Sequence, residues 1–120
     1  MRPLPVTAGM LDSQSLVTLR RTLGTEESYQ DILRTFLTSS NQLARQLERG
    51  LAGAPSKDVV LAAHTLKSMA RLVGANALGE ACREVERRWQ ATPPVVSAQL
   101  LRTTLEQLAA TRRAVGSLVA

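Results

Sequence analysis

Between residues 26 and 50 the apolar side chains recur at steps of three and four: Tyr29, Ile32, Leu33, Phe36, Leu37, Leu43, Ala44 and Leu47. That rhythm follows the turn of an α-helix and not the two-residue alternation of a strand. Thr25 offers a cap, and Glu26 with Glu27 places negative charge in the first turn, where the helix dipole favours it. The predicted helix is about 37 Å long at 1.5 Å per residue. An apolar stripe of that length must be covered by other helices.

The rest of the chain supplies them. Asp12 or Ser13 can cap a short first helix carrying Leu16, Leu19 and Leu23, which stops at Gly24. Gly50 to Pro55 reads as a loop, with Pro55 suited to the first turn of a third helix. This helix runs to about Val73 and ends at Gly74, the expected left-handed cap. A fourth helix carries Leu78, Ala81, Cys82, Val85 and Trp89, and Thr92-Pro93-Pro94 breaks the chain after it. The last carries Leu101, Leu105, Leu108, Ala109, Val115 and Leu118. Short connections between long helices favour antiparallel neighbours. The prediction is an all-α, antiparallel four-helix bundle with a short additional N-terminal helix, over residues 10–120. Residues 1–9, with two prolines, are expected to form a flexible lead-in.

Composition narrows the core and the setting. Of 120 residues, 44% are hydrophobic, yet Tyr29, Phe36 and Trp89 are the whole aromatic set, so Leu, Val and Ala must fill the interior. Cys82 stands alone, which excludes an intramolecular disulfide and suits a reducing compartment. One Cys and one His do not make a structural zinc site, so neither metal nor cofactor is expected. No apolar run approaches about 18 residues, and the start lacks a stretch of signal-peptide length. The expectation is a cytoplasmic domain without membrane contact. A net charge of +5 raises nucleic-acid binding, but the basic residues are scattered and stacking aromatics are missing.

On a wheel of the third helix, Val59, Ala62, Ala63, Leu66, Met69, Ala70 and Val73 gather on one side. His64, the single histidine, gathers with Lys67, Ser68 and Arg71 on the other, and Lys57 lies further back. The histidine is therefore expected to point outward. An exposed imidazole, with an ordinary pKa of about 6.5, is partly neutral at cytoplasmic pH and can act as a nucleophile. A phosphorylated ring would be favoured by a cation one turn away, and Lys67 sits within about 5–6 Å between Cβ atoms. Ser68 is small enough to leave room for a partner, and Arg71 can extend the positive field. Val60 and Leu61, exposed apolar residues beside a polar centre, suit a docking surface together with Lys57. By spacing alone, such a set more often describes no more than a solvated helix face.

Other residues read more plainly. Cys82 and Trp89 fall on an apolar stripe and are expected to pack inside. Glu80, Arg83, Glu84, Arg87 and Arg88 are spaced for surface ion pairs, and Arg112 and Arg113 are expected in solvent. Nothing in the spacing places a carboxylate behind the histidine, so no catalytic triad can be argued.

The string Ala63-His64-Thr65-Leu66-Lys67-Ser68-Met69-Ala70, then Leu72-Val73-Gly74-Ala75, then Leu78, Cys82 and Glu86, resembles the signature of the histidine phosphotransfer (HPt) family. That family's pattern is a His, a Lys three residues later, small residues, a Gly-Ala pair, and a following helix with spaced Leu, Cys and Glu. The resemblance spans about residues 10–118. Two positions depart from it: Ser68 stands where many members carry Gly, and Met69 is larger than the usual small residue. The resemblance implies that His64 is phosphorylated and that Lys67 is its charge partner. It implies response-regulator receiver domains as donor and acceptor, and a hybrid sensor histidine kinase upstream.

No Gly-rich phosphate loop or acidic magnesium cluster accompanies His64, so self-phosphorylation from ATP is not expected and the chain reads as a phosphocarrier rather than an enzyme. Two other classes compete. A basic nucleic-acid-binding bundle predicts salt-dependent binding indifferent to His64. A helical adaptor would keep a docking face without the labile phosphate. Whether the chain stands alone or ends a hybrid kinase is open from sequence.

Overall fold

The computed structural model describes residues 10–120, and the predicted lead-in over 1–9 lies outside them. Among the described residues there are five helices: α1 (Ser13–Leu23), α2 (Glu26–Leu51), α3 (Ser56–Leu72), α4 (Asn76–Gln90) and α5 (Ala98–Gly116). The punctuation follows the sequence closely. Asp12 accepts from the Ser15 amide at 3.0 Å, Thr25 Oγ1 from the Ser28 amide at 3.1 Å, and Ser97 Oγ from the Leu100 amide at 3.1 Å. Each satisfies a first-turn donor that the helix itself leaves free. Pro55 stands just before α3 rather than within its first turn.

The four long helices form a closed ring, α2 on α3, α3 on α4, α4 on α5 and α5 on α2, while α1 lies across α2 and α3. Neighbours run antiparallel. Gly50, late in α2, lies against Val59 and Leu101, early in α3 and α5. Arg112, late in α5, donates to the Leu37 carbonyl of α2 at 3.2 Å. This contact corrects the expectation that Arg112 is simply solvated: its stem crosses the α2–α5 seam.

The buried stripes keep a three-four spacing, as interdigitating helices require. In α2 they are Tyr29, Leu33, Phe36, Ser40, Leu43 and Leu47, and in α5 Leu101, Thr104, Leu108, Thr111 and Val115. Ser40, Thr104 and Thr111 were not anticipated in the core. They tolerate burial because each hydroxyl donates to a carbonyl of the preceding turn, Thr104 to Leu100 at 2.8 Å and Thr111 to Gln107 at 2.7 Å. Ala109, expected inside, faces out, because the stripe passes through Leu108 and Thr111 instead. Leu33, Leu47, Leu66, Leu78, Leu101 and Leu108 are essentially fully buried, each contributing about 1.5–3 kcal/mol of transfer free energy. Among the described residues, no helix is long and apolar enough to cross a membrane.

Candidate functional site

The site is built on the α3–α4 hairpin. Val59, Ala62, Ala63, Leu66 and Ala70 commit one face of α3 to the core, and Leu78, Cys82, Val85 and Trp89 do the same for α4. His64 is thereby turned outward, with its side chain 58% exposed. Its Nδ1 lies 3.0 Å from Glu86 Oε2 on α4. The other carboxylate oxygen, Oε1, accepts from Lys67 Nζ at 2.8 Å. Glu86 thus joins the histidine to the lysine.

An ionised carboxylate can only accept, so the proton of the neutral ring resides on Nδ1. Nε2 is then the nitrogen with the free lone pair, and it has no hydrogen-bond partner among the described residues. Burial pushes the Glu86 carboxyl up, but the hydrogen bonds from Lys67 and His64 outweigh it and hold the group below its usual value. Glu86 therefore remains charged where it meets the ring. Behind it, Cys82 is buried, and burial followed by the charge of Glu86 pushes its thiol up to about 12. That leaves it a packing residue rather than a nucleophile.

Glu86 overturns the expectation that no carboxylate stands behind the histidine. Spacing within one helix could not find it, since the residues sit on different helices. The tight turn at Gly74 offered a signal: His64 and Glu86 are equidistant from Ala75 along the chain, as are Arg71 and Gly79, which also come together. Lys67 differs from expectation as well. It does not stand in solvent beside the ring, but lies with only 15% of its side chain exposed, paired to Glu86.

The remaining predicted residues divide into two groups. Lys57, Val60 and Leu61 line an open hollow with His64, Glu86 and Trp89, and Leu61 is 65% exposed. Arg71 borders a different hollow, against Ser15 and Thr18 of α1. Ser68 lies between them, exposed, its Oγ donating to the His64 carbonyl at 3.3 Å. Away from the site the ion pairs expected on α4 are present, with Glu84 taking Arg87 and Arg88 and Glu80 taking Arg83. Among the described residues, no group of three or more His, Cys, Asp or Glu side chains could hold a metal ion.

The site is an outward imidazole on the α3–α4 hairpin of a small helical bundle, and comparison with known proteins assigns the family. The Hpt domain model matches residues 31–111, and the chain belongs to that family. Hpt proteins are phosphocarriers rather than kinases and work with receiver domains and kinases in two-component relays, so this chain has a histidine phosphotransfer role in a phosphorelay. Its fold is similar to that of histidine-containing phosphotransfer protein B (HptB) from Pseudomonas aeruginosa PAO1. The TM-score is 0.76 at 24% identity, covering 92% of this chain and 95% of that one. No curated protein matches the sequence.

Proposed function

We propose that His64 is the residue that carries the phosphoryl group, taking it from the aspartyl phosphate of one receiver domain and passing it to the aspartate of another. The observation that supports this most directly is the exposed ring whose Nδ1 is held by Glu86 at 3.0 Å. Nε2 attacks phosphorus, the bond from phosphorus to the aspartate oxygen breaks, and the aspartate leaves as a carboxylate. The ring, still protonated on Nδ1, becomes a phosphorylated imidazolium whose positive charge faces Glu86. Lys67 acts as charge partner through Glu86, keeping that carboxylate ionised and fixed. The bundle contributes positioning and electrostatics, and the reverse transfer uses the same groups.

In this reading residues 10–120 act as one phosphotransfer unit that does not phosphorylate itself from ATP, with a hybrid sensor kinase as the upstream source. Val60, Leu61, Ser68, Arg71 and Lys57 form the surface that meets the receiver. The lone, buried Cys82 supports a cytoplasmic setting. The test is incubation with phosphorylated receiver domains. Acid-labile, base-stable phosphate should appear on His64 by mass spectrometry and be absent from His64→Gln. Labelling unchanged in that variant overturns the reading.

A further inference from the structure

Lys67 is paired with Glu86 at 2.8 Å, so the unpaired cations on the His64 face are other residues. Lys57 and Arg71 lie seven residues before and after His64 on α3. Seven residues are nearly two full turns, so both sit within about 20° of the histidine's meridian, each about 10 Å along the axis. Both are exposed, and neither has an ion-pair partner among the described residues. Asp12, the acid in the hollow beside Arg71, accepts from Ser15 at 2.6 Å and makes no ion pair with Arg71. The Arg71 stem lies over Gly79, so that a Cβ there would be 3.9 Å from Arg71 Cγ, and only the guanidinium is left free. Glu86, the acid nearest the ring, is ion-paired with Lys67 at 2.8 Å. The face thus presents two exposed cations, neither in an ion pair among the described residues, bracketing one imidazole.

We infer that Lys57 and Arg71 form an electrostatic guide that draws the phosphorylated receiver onto His64, separate from the Lys67–Glu86 brace that governs the transfer step. The inference rests on the proposed phosphotransfer at His64. Its occupant is the anionic face of a receiver domain, which brings the acyl phosphate and the acidic side chains holding its metal ion. Exposed charges about 10 Å from the reacting atom act over roughly one Debye length at about 0.1 M salt, so they govern encounter rather than bond exchange. The half-buried Lys67–Glu86 pair is screened far less and belongs to the chemical step.

The experiment measures single-turnover transfer from a phosphorylated receiver domain to the full chain, over receiver concentration and from about 0.02 to about 0.5 M salt. Lys57→Gln/Arg71→Gln should raise the half-saturating receiver concentration about threefold to tenfold at low salt, with the rate at saturation within about twofold. Lys57→Glu/Arg71→Glu should raise it further, and all three proteins should converge at high salt. Lys67→Gln should show the reverse split, slowing the saturated rate and leaving the salt dependence intact. Half-saturation equal to wild type in the double Gln variant, or independent of salt in wild type, overturns the guide while leaving the label on His64 in place. Wild-type chain that takes no label on His64 from any receiver overturns the phosphotransfer reading itself, and the guide with it.

Discussion

The Lys67 ammonium donates to Glu86 at 2.8 Å from a position only 15% exposed, so the charge nearest His64 is bound into the α3–α4 seam rather than free above it. Removing it strands a carboxylate that is itself 14% exposed. Lys67→Met is therefore expected to lower unfolding free energy by about 1–3 kcal/mol, less than a fully buried pair costs because water reaches one edge. Urea denaturation checks this, and Lys67→Arg should recover part of the loss. A variant as stable as wild type would show that the pair braces nothing.

Glu86 also decides which ring nitrogen is nucleophilic, because its Oε2 lies 3.0 Å from Nδ1. Glu86→Ala should slow transfer to His64 by about 10–100-fold, since both the tautomer and the compensating charge are lost. Glu86→Gln retains an acceptor but no charge and should fall between. Nitrogen NMR of the imidazole provides an independent readout. The proton should be found predominantly on Nδ1 in wild type and distributed over both nitrogens in Glu86→Ala.

The acid side of the stability profile follows from the same carboxylates. The Glu86 carboxyl is held below its usual value, and the guanidinium hydrogen bonds of Arg87 and Arg88 hold that of half-buried Glu84 at about 2. A depressed folded-state value means that the unfolded chain binds the proton first as pH falls. Stability is therefore fully present above the unfolded carboxyl value of about 4.3 and is lost progressively below it. Thermal melts from neutral pH down to about pH 2 should show this decline. Glu86→Gln, lacking one contributor, should fall less steeply over the same window.

What the sequence made legible and what it hid differ in physical kind. Caps, breaks and stripes are local, so Asp12, Thr25, Gly24 and Gly74 marked their helix ends from composition and spacing alone. The outward direction of His64 followed from one helix wheel. The Glu86 contact depends on the register between two helices, which no single-helix pattern contains; the family signature and the tight turn at Gly74 are the signals that point to that residue. A helix wheel leaves Lys67 in solvent for the same reason, its partner lying on α4. Ser40, Thr104 and Thr111 escaped notice because a hydroxyl that bonds its own helix backbone is indistinguishable in sequence from an exposed one.

Cys82 tests whether the interior behind the site is rigid. Burial, and then the neighbouring Glu86 charge, put its thiol at about 12, so almost no thiolate exists in the folded protein. At about pH 8 a disulfide reagent should react with it orders of magnitude more slowly than with a free thiol, and the rate should follow the fraction unfolded as denaturant is added. Fast reaction in buffer alone would mean that the α3–α4 seam opens locally.

Gly74 and Gly24 offer a matched pair for the junction that anchors α1. Both have positive φ, 73° and 80°, so an alanine at either pays the left-handed penalty of about 1 kcal/mol. Their surroundings differ. A Cβ on Gly24 meets nothing within 4 Å, whereas one on Gly74 would lie 2.8 Å from the Asp12 amide nitrogen and 2.9 Å from both the Asp12 carbonyl oxygen and Ser15 Cβ. The Asp12 amide also donates to the Gly74 carbonyl at 2.8 Å, so α1 cannot back away without losing that bond. Gly24→Ala should therefore cost about 1 kcal/mol, and Gly74→Ala about 2–4 kcal/mol, the excess being steric displacement of α1. Amide exchange localises the effect. Protection should drop across Ser13–Leu23 in Gly74→Ala while α4 and α5 stay protected, and equal costs at the two glycines would rule out close packing of α1 on the hairpin turn.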